Sequence, residues 1–281
     1  MMKFRRSERL IDMTNYLLEH PHQLVSLTFF SERYGSAKSS ISEDLAIIKE
    51  TFEQRNIGTL QTVPGAAGGV RFHVKVSDEE ARIFIKELCE LIASPERLLP
   101  GGYLYMTDIL GDPTIVQRAG RLFASAFAET KIDVVMTVAT KGIPLAYAVA
   151  NYLNVPVVIV RRDSKVTEGS TVSINYVSGS AKRIQTMLLS KRSLEEGSRV
   201  LIVDDFMKAG GTVNGMVSML EEFKAYVAGI AVLVEAEKAE ERLVDEYLSL
   251  VRLSDVDVKE KKINVGEGNY FKRSLEGGKS V

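Results

Sequence analysis

The sequence predicts an α/β protein in two parts. A small N-terminal domain of three helices and a hairpin precedes a larger domain whose mainly parallel sheet is flanked by helices. Three observations carry this expectation. The first 76 residues hold three helical patterns, each ended by a turn signal, and then two short strand patterns. From residue 131 onward, apolar β-forming runs alternate with helical stretches, the order that builds a parallel sheet. The run Val200-Leu201-Ile202-Val203 ends in Asp204-Asp205, a short loop and a helical pattern. In an open α/β sheet, that carboxyl end of a strand is where ligands bind.

In the N-terminal part, Ser7 is positioned to cap a helix that carries Leu10, Met13/Thr14 and Leu17 on one face and stops at His20-Pro21. Ser26 caps a short second helix, Leu27 to Tyr34, which Gly35 stops. A third helix is expected from about Ser36 to Gln54. Its Ile41, Leu45, Ile48 and Phe52 recur at spacings of four, three and four, one helical face. A helix, a short helix, a Gly-containing turn and a longer helix form the helix-turn-helix arrangement. In that arrangement the last helix enters a DNA major groove with its N-terminal residues at the bases, here Lys38, Ser39, Ser40 and Ser42. Residues 58–63 and 70–76 then read as two strands around the Gly-rich tip Pro64-Gly65-Ala66-Ala67-Gly68-Gly69. Residues 1–76 carry ten Lys/Arg against eight Asp/Glu, too small an excess to argue nucleic-acid binding by itself. The cluster Lys3, Arg5, Arg6 and Arg9 is more telling, because like charges held together can meet phosphates.

The domain boundary is expected near residues 75–77, giving domains 1–76 and 77–281. Asp78, Glu79 and Glu80 lie in the first turn of the next helix, where the helix dipole favours acids. Residues 78–110 read as a connecting segment without evident chemistry. A buried strand at 133–138, the turn Ala139-Thr140-Lys141-Gly142, a helix from Ile143 to Tyr152 and a strand at 155–160 follow. Arg161-Arg162-Asp163-Ser164-Lys165 comes next, a cationic loop whose Arg and Lys side chains suit phosphate oxygens.

The segment Asp204-Asp205-Phe206-Met207-Lys208-Ala209-Gly210-Gly211-Thr212 carries the densest chemistry. Backbone N–H groups at Gly210, Gly211 and Thr212 can converge on one phosphate, aided by the helix dipole and the Thr hydroxyl. The glycines let the backbone approach closely. The two carboxylates can accept hydrogen bonds from a cis-diol. The segment is therefore shaped for a ribose 5-phosphate.

Composition sets the limits. With 45% hydrophobic and 26% charged residues, the 281-residue chain reads as a soluble globular protein. No apolar run approaches the ~18 residues of a membrane span, and the N-terminus lacks the apolar stretch of a signal peptide, so no membrane partner is expected. Cys89 is the single cysteine, and His20, His22 and His73 are scattered. No metal-ligand spacing arises, and a reducing, cytoplasmic setting is implied.

The acidic pair and its glycine loop resemble the phosphoribosyl diphosphate (PRPP) motif of the type I phosphoribosyltransferases. The Gly-rich hairpin resembles the wing of winged-helix DNA-binding domains. The fold class expected is thus a winged helix-turn-helix domain joined to a type I phosphoribosyltransferase-like domain. The resemblance implies that Asp204 and Asp205 hold the ribose hydroxyls and that the residues from Phe206 through Thr212 complete the 5-phosphate site. It places Thr140, Lys141 and Gly142 at the pyrophosphate, with Arg161, Arg162 and Lys165 reaching the diphosphate. Magnesium would ride on the diphosphate and ribose oxygens, with no protein metal ligand. The chain departs from the enzymes: Lys208-Ala209 stands where they commonly carry two Thr residues, and no residues are evident to hold a nucleobase.

A winged helix fused to such a core resembles, over essentially the whole chain, the purine biosynthesis repressor family of Bacillus-type Gram-positive bacteria. That resemblance implies a homodimeric repressor of purine synthesis and transport genes, with no catalytic residue. It would bind double-stranded operator DNA through Lys3, Arg5, Arg6, Arg9, Lys38, Ser39, Ser40, Ser42 and Arg71. DNA binding would need no cofactor and would be relieved by PRPP with Mg2+, and purine nucleotides could compete in the same pocket. The rival is an active purine phosphoribosyltransferase with an accessory N-terminal domain.

Overall fold

A computed structural model describes residues 4–65, 68–163, 166–178, 183–237 and 242–272. By internal contacts the chain divides into two compact units, one ending at Ser77 and one beginning at Asp78, with residues 152–154 grouped with the first.

The first unit holds helix α1 (Arg6–Glu19), strand β1 (Val25–Ser26), helices α2 (Leu27–Tyr34) and α3 (Lys38–Gln54), and the hairpin β2 (Gly58–Val63) and β3 (Gly69–Val74). The sheet order is β1-β3-β2, antiparallel throughout. The local signals explain most of this. The Ser26 side chain accepts from the Phe29 N–H at 3.1 Å, and Gly35 ends α2 with φ +58°, a conformation that costs glycine little. At α1 the expected Ser7 cap gives way to an earlier start. Arg5 occupies the cap position, and its N–H donates to the Glu8 carboxylate at 2.7 Å. Helix α3 begins at Lys38 rather than Ser36. Ile41, Leu45, Ile48 and Phe52 point into a core with Met13, Leu17, Phe30, Leu60 and Phe72. There the Phe52 and Phe72 rings meet edge to face at 5.0 Å.

The second unit opens with α4 (Asp78–Ile92) and a short hairpin, β4 (Leu98–Leu99) and β5 (Tyr103–Leu104). Helices α5 (Thr107–Gly111) and α6 (Pro113–Ala126) follow. Asp112 caps α6 by accepting from the N–H groups of Thr114 and Ile115, with Pro113 at the first helical position. Then come β6 (Val134–Val138), α7 (Ile143–Leu153), β7 (Val157–Val160), the hairpin β8 (Thr171–Ser178) and β9 (Arg183–Ser190), and β10 (Arg199–Met207). Helix α8 (Gly211–Glu222) and strands β11 (Tyr226–Ala236), β12 (Leu248–Asp257) and β13 (Lys262–Glu267) complete the unit. The main sheet runs β13-β12-β11-β10-β6-β7. Every neighbouring pair is parallel except the β12–β13 edge. Strand β6 is buried along its whole length, as expected for a strand covered on both faces. Gly120 on α6 lets α7 approach closely: a Cβ there would meet the Ala148 Cβ at 2.7 Å. Among the described residues, no helix is long and apolar enough to cross a membrane.

Candidate functional site

Strand β10 does not stop before its acidic residues. It pairs with β11 as far as Met207, opposite Glu235. Asp204 and Asp205 are therefore strand residues, and the turn that follows is only Lys208-Ala209-Gly210. Gly210 caps α8 with φ +85°, so Gly211 and Thr212 lie in the first helical turn, where N–H groups have no partner within the helix. Leu243 donates its N–H to the Ala209 carbonyl at 2.9 Å.

Asp204 is almost fully buried. Burial, and then the adjacent Asp205 charge, push its carboxyl well above the usual range. Burial also raises Asp205, against the pull of a hydrogen bond from Asp204 and of the Lys141 and Arg162 charges. The Asp205 N–H donates to Asp204 Oδ1 at 3.0 Å. A buried carboxylate beside a half-buried one at the cavity wall calls for hydroxyl donors or a cation between them.

The turn Ala139-Thr140-Lys141-Gly142 packs beside this pair. The Ala139–Thr140 peptide is cis. Gly142 is required by space: a Cβ would overlap Thr137 Oγ1 and come within 3.2 Å of Asp204 Oδ1. Thr137 Oγ1 is buried and has no hydrogen-bond partner among the described residues.

A cavity of about 710 Å³ opens over these elements, lined by Lys141, Asp205, the turn Lys208–Gly210 and the start of α8. Its other walls come from segments that sequence reasoning left without a role. One is the β4–β5 hairpin, with Gly101, Gly102, Tyr103 and Leu104. The other is the end of β12, from Leu253 to Val256. Residues 78–110, expected to be a connecting segment without evident chemistry, thus contribute Gly101 to Leu104 to the cavity wall. The hairpin has only two residue pairs, too little to hold itself. Arg97 holds it: its guanidinium donates to the carbonyls of Leu91 (2.7 Å) and Tyr105 (3.0 Å) and takes Asp108 in a two-point grip at 2.7 and 2.8 Å. The one available signal was Pro100-Gly101-Gly102 between Leu98-Leu99 and Tyr103-Leu104.

The cationic loop divides. Arg161 is held by Glu168 at 3.0 Å and by a backbone bridge to Leu188, so it does not stand free for a diphosphate. Arg162 lies near enough to lower both aspartates. Lys165 falls outside the described residues.

On the first unit, Lys38, Ser39 and Ser42 are exposed on the first turns of α3 and Ser40 is half-buried, as a base-reading helix end requires. The arginine cluster is differently used. Asp44, on α3, is fully buried. Arg6 Nε donates to Asp44 Oδ1 at 2.9 Å, and Arg9 Nη2 lies 2.9 Å from Oδ2. The Arg9 side chain is only 13% exposed. Its ion pair joins α1 to α3 and leaves little of the side chain at the surface. Arg6 shares that ion pair but keeps half its surface in solvent, and Arg5 is exposed. Arg71, on β3, is half-buried with its Nε shielded from solvent. Lys3 falls outside the described residues.

Comparison with known proteins places both units. Residues 5–74 match the model of the bacterial purine repressor N-terminal domain, and residues 106–271 match that of the phosphoribosyl transferase domain. Adenine phosphoribosyltransferase from Rhodothermus marinus DSM 4252 superposes with a TM-score of 0.53 at 23% identity, covering 61% of this chain and 99% of that one. The second unit is therefore of the phosphoribosyltransferase fold, with a mainly parallel sheet, as expected. The chain is 69% identical over 271 residues to the purine biosynthesis transcriptional repressor PurR of Bacillus subtilis strain 168, covering 96% of this chain and 95% of the relative. It is 50% identical over 267 residues to the purine biosynthesis transcriptional activator PurR of Lactococcus lactis subsp. lactis strain IL1403, covering 95% and 98%. The chain belongs to the PurR family of purine biosynthesis transcriptional regulators.

Proposed function

We propose that this protein is a transcriptional repressor of purine biosynthesis and transport genes whose hold on operator DNA is released by PRPP. The observation that carries the reading is the joining of two sites in one chain. A purine-repressor N-terminal domain exposes a helix start of the major-groove type. The second unit has an acidic pair on β10 and an anion-binding turn at α8, set out for a phosphorylated ribose. Asp204 and Asp205 would take the ribose hydroxyls, Lys208 to Thr212 the 5-phosphate, and Lys141 and Arg162 the diphosphate. Magnesium fits only as part of the ligand. Among the described residues no three His, Cys, Asp or Glu side chains converge, so the acidic pair would meet an ion whose other oxygens come from PRPP and water. The protein is proposed to act as a dimer in the cytoplasm, with purine nucleotides competing for the cavity. Lys208-Ala209, in place of two hydroxyl-bearing residues, supports a sensor rather than a catalyst.

A gel-shift titration with a purine-operon control region, with and without PRPP and magnesium, tests this. Specific binding that PRPP weakens is expected. Conversion of a purine base and PRPP to nucleotide at ordinary enzyme rates, without specific DNA binding, would overturn it in favour of a transferase. The Lactococcus relative's name raises a second reading, activation. A reporter whose expression falls when the gene is deleted would establish that sign instead. Within the repressor reading, Lys38→Ala should weaken DNA binding and reduce the slope of log affinity against log salt by about 1. An unchanged slope would remove Lys38 from the interface.

A further inference from the structure

Behind the Lys208–Gly210 turn lies a segment that the proposed contacts do not include. Residues 242–247 cross the rear of the turn, and they touch it twice. Leu243 donates its N–H to the Ala209 carbonyl at 2.9 Å. Val244, buried, lies against Gly210 so closely that a Cβ on that glycine would meet its Cγ2 at 3.1 Å. The segment has no regular secondary structure of its own, so something else must fix it.

That something is one carboxylate. Glu235, at the end of β11 and directly across from Met207, is 5% exposed. Arg242, at the start of the segment, donates to its Oε2 at 2.9 Å, and the Tyr247 hydroxyl, at the far end, donates to the same oxygen. Ser249 Oγ donates to Oε1 at 2.8 Å. Arg242 adds a bond to the Ala236 carbonyl at 2.8 Å and lies over the Tyr247 ring at 5.1 Å. Both ends of the segment are thus pinned to Glu235, and its middle rests on the turn.

We propose that Glu235 is a positioning residue for the phosphate turn, acting through Arg242 and Tyr247. It touches no ligand. It sets where Ala209 and Gly210 lie, and so where the N–H groups at the start of α8 aim. A buried carboxylate with charged and neutral donors at fixed ends of a segment is a stiff joint, because losing any donor leaves the charge unpaired in a place water does not reach. The inference rests on the reading of Lys208–Thr212 as the 5-phosphate site.

The test is isothermal titration of the full chain with ribose 5-phosphate and with PRPP, in wild type, Glu235→Gln, Arg242→Ala, Arg242→Lys and the milder Tyr247→Phe. Glu235→Gln and Arg242→Ala should weaken both ligands by the same factor, about tenfold, because both ligands share the 5-phosphate. Arg242→Lys should restore part of the loss, and DNA affinity without ligand should not change. Equal affinities in wild type and variants, with only a lowered melting temperature, would overturn the proposal. If wild type binds neither ligand, the reading of the site fails instead. Hydrogen exchange then decides the joint separately: the Leu243 amide should exchange faster in Glu235→Gln and Tyr247→Phe, and unchanged protection would overturn it.

Discussion

Replacing Asp204 with Asn is expected to stabilise the ligand-free protein while weakening PRPP about 10- to 100-fold. The second effect follows from losing charge-assisted hydrogen bonds to a ribose diol, worth roughly 1.5–3 kcal/mol. The first follows from burial. The folded carboxyl is raised well above its ordinary value by desolvation and by Asp205, so the folded state keeps this proton to higher pH than the unfolded chain, whose Asp titrates near 3.9. Stability linked to the group is then greatest below about pH 3.9 and is lost as pH rises toward the folded value. At neutral pH the wild type carries that cost and the Asn variant does not. A gain of about 1 kcal/mol would raise Tm by about 2–4 °C for a unit of this size. Scanning calorimetry from pH 4 to 8, with titration calorimetry for PRPP, measures both effects. A variant that melts lower than wild type at neutral pH would contradict the burial argument. One that binds PRPP as before would remove Asp204 from the diol. In a DNA assay the variant should repress and resist induction, since coupling between the two ligands is reciprocal.

Replacing Asp44 with Ala should have the largest effect on the first unit. The carboxylate is fully buried and shared by Arg6 and Arg9. Removing it leaves Arg9, with 13% of its side chain exposed, without a counter-charge in a poorly hydrated site. Breaking a buried pair by deleting one partner costs about 3–5 kcal/mol. The lower figure applies because Arg6 can turn to water. In a unit of fewer than 100 residues, about 3 kcal/mol corresponds to a drop in Tm of about 12 °C or more. The thermal transition of the first unit should move down while that of the second stays in place, and DNA affinity should fall with it. Coincident transitions at the wild-type temperature would show that the Arg6–Asp44–Arg9 cluster contributes little.

The sequence made legible those features whose causes are local. Helix α2 could be placed to the residue because Ser26 and Gly35 punctuate it. The wing hairpin was visible in its strand runs and glycine tip, and the buried face of α3 in its repeat of apolar residues. What escaped depends on partners far along the chain. Asp44 sits on the same helical stripe as Ile41 and Ile48, but an acid there reads as solvent-facing until Arg6 and Arg9, more than thirty residues earlier, are folded against it. The apolar run Val200–Val203 marked strand β10 and put the Asp pair at its carboxyl end, with a loop to follow; Asp is a poor strand former. Pairing with β11 as far as Met207 overrides that preference. The pocket hairpin at 98–104 has no alternation to detect, and Arg97, its anchor, looks like any surface arginine.

The continuation of β10 through its acidic pair bears on how a ligand is met. Asp204 and Asp205 are carried by backbone already laddered into the sheet, so the acidic half of the pocket is preorganised before anything binds. Less ordering is then left for binding to bear, so more of the contact energy of any ligand seated there appears as affinity.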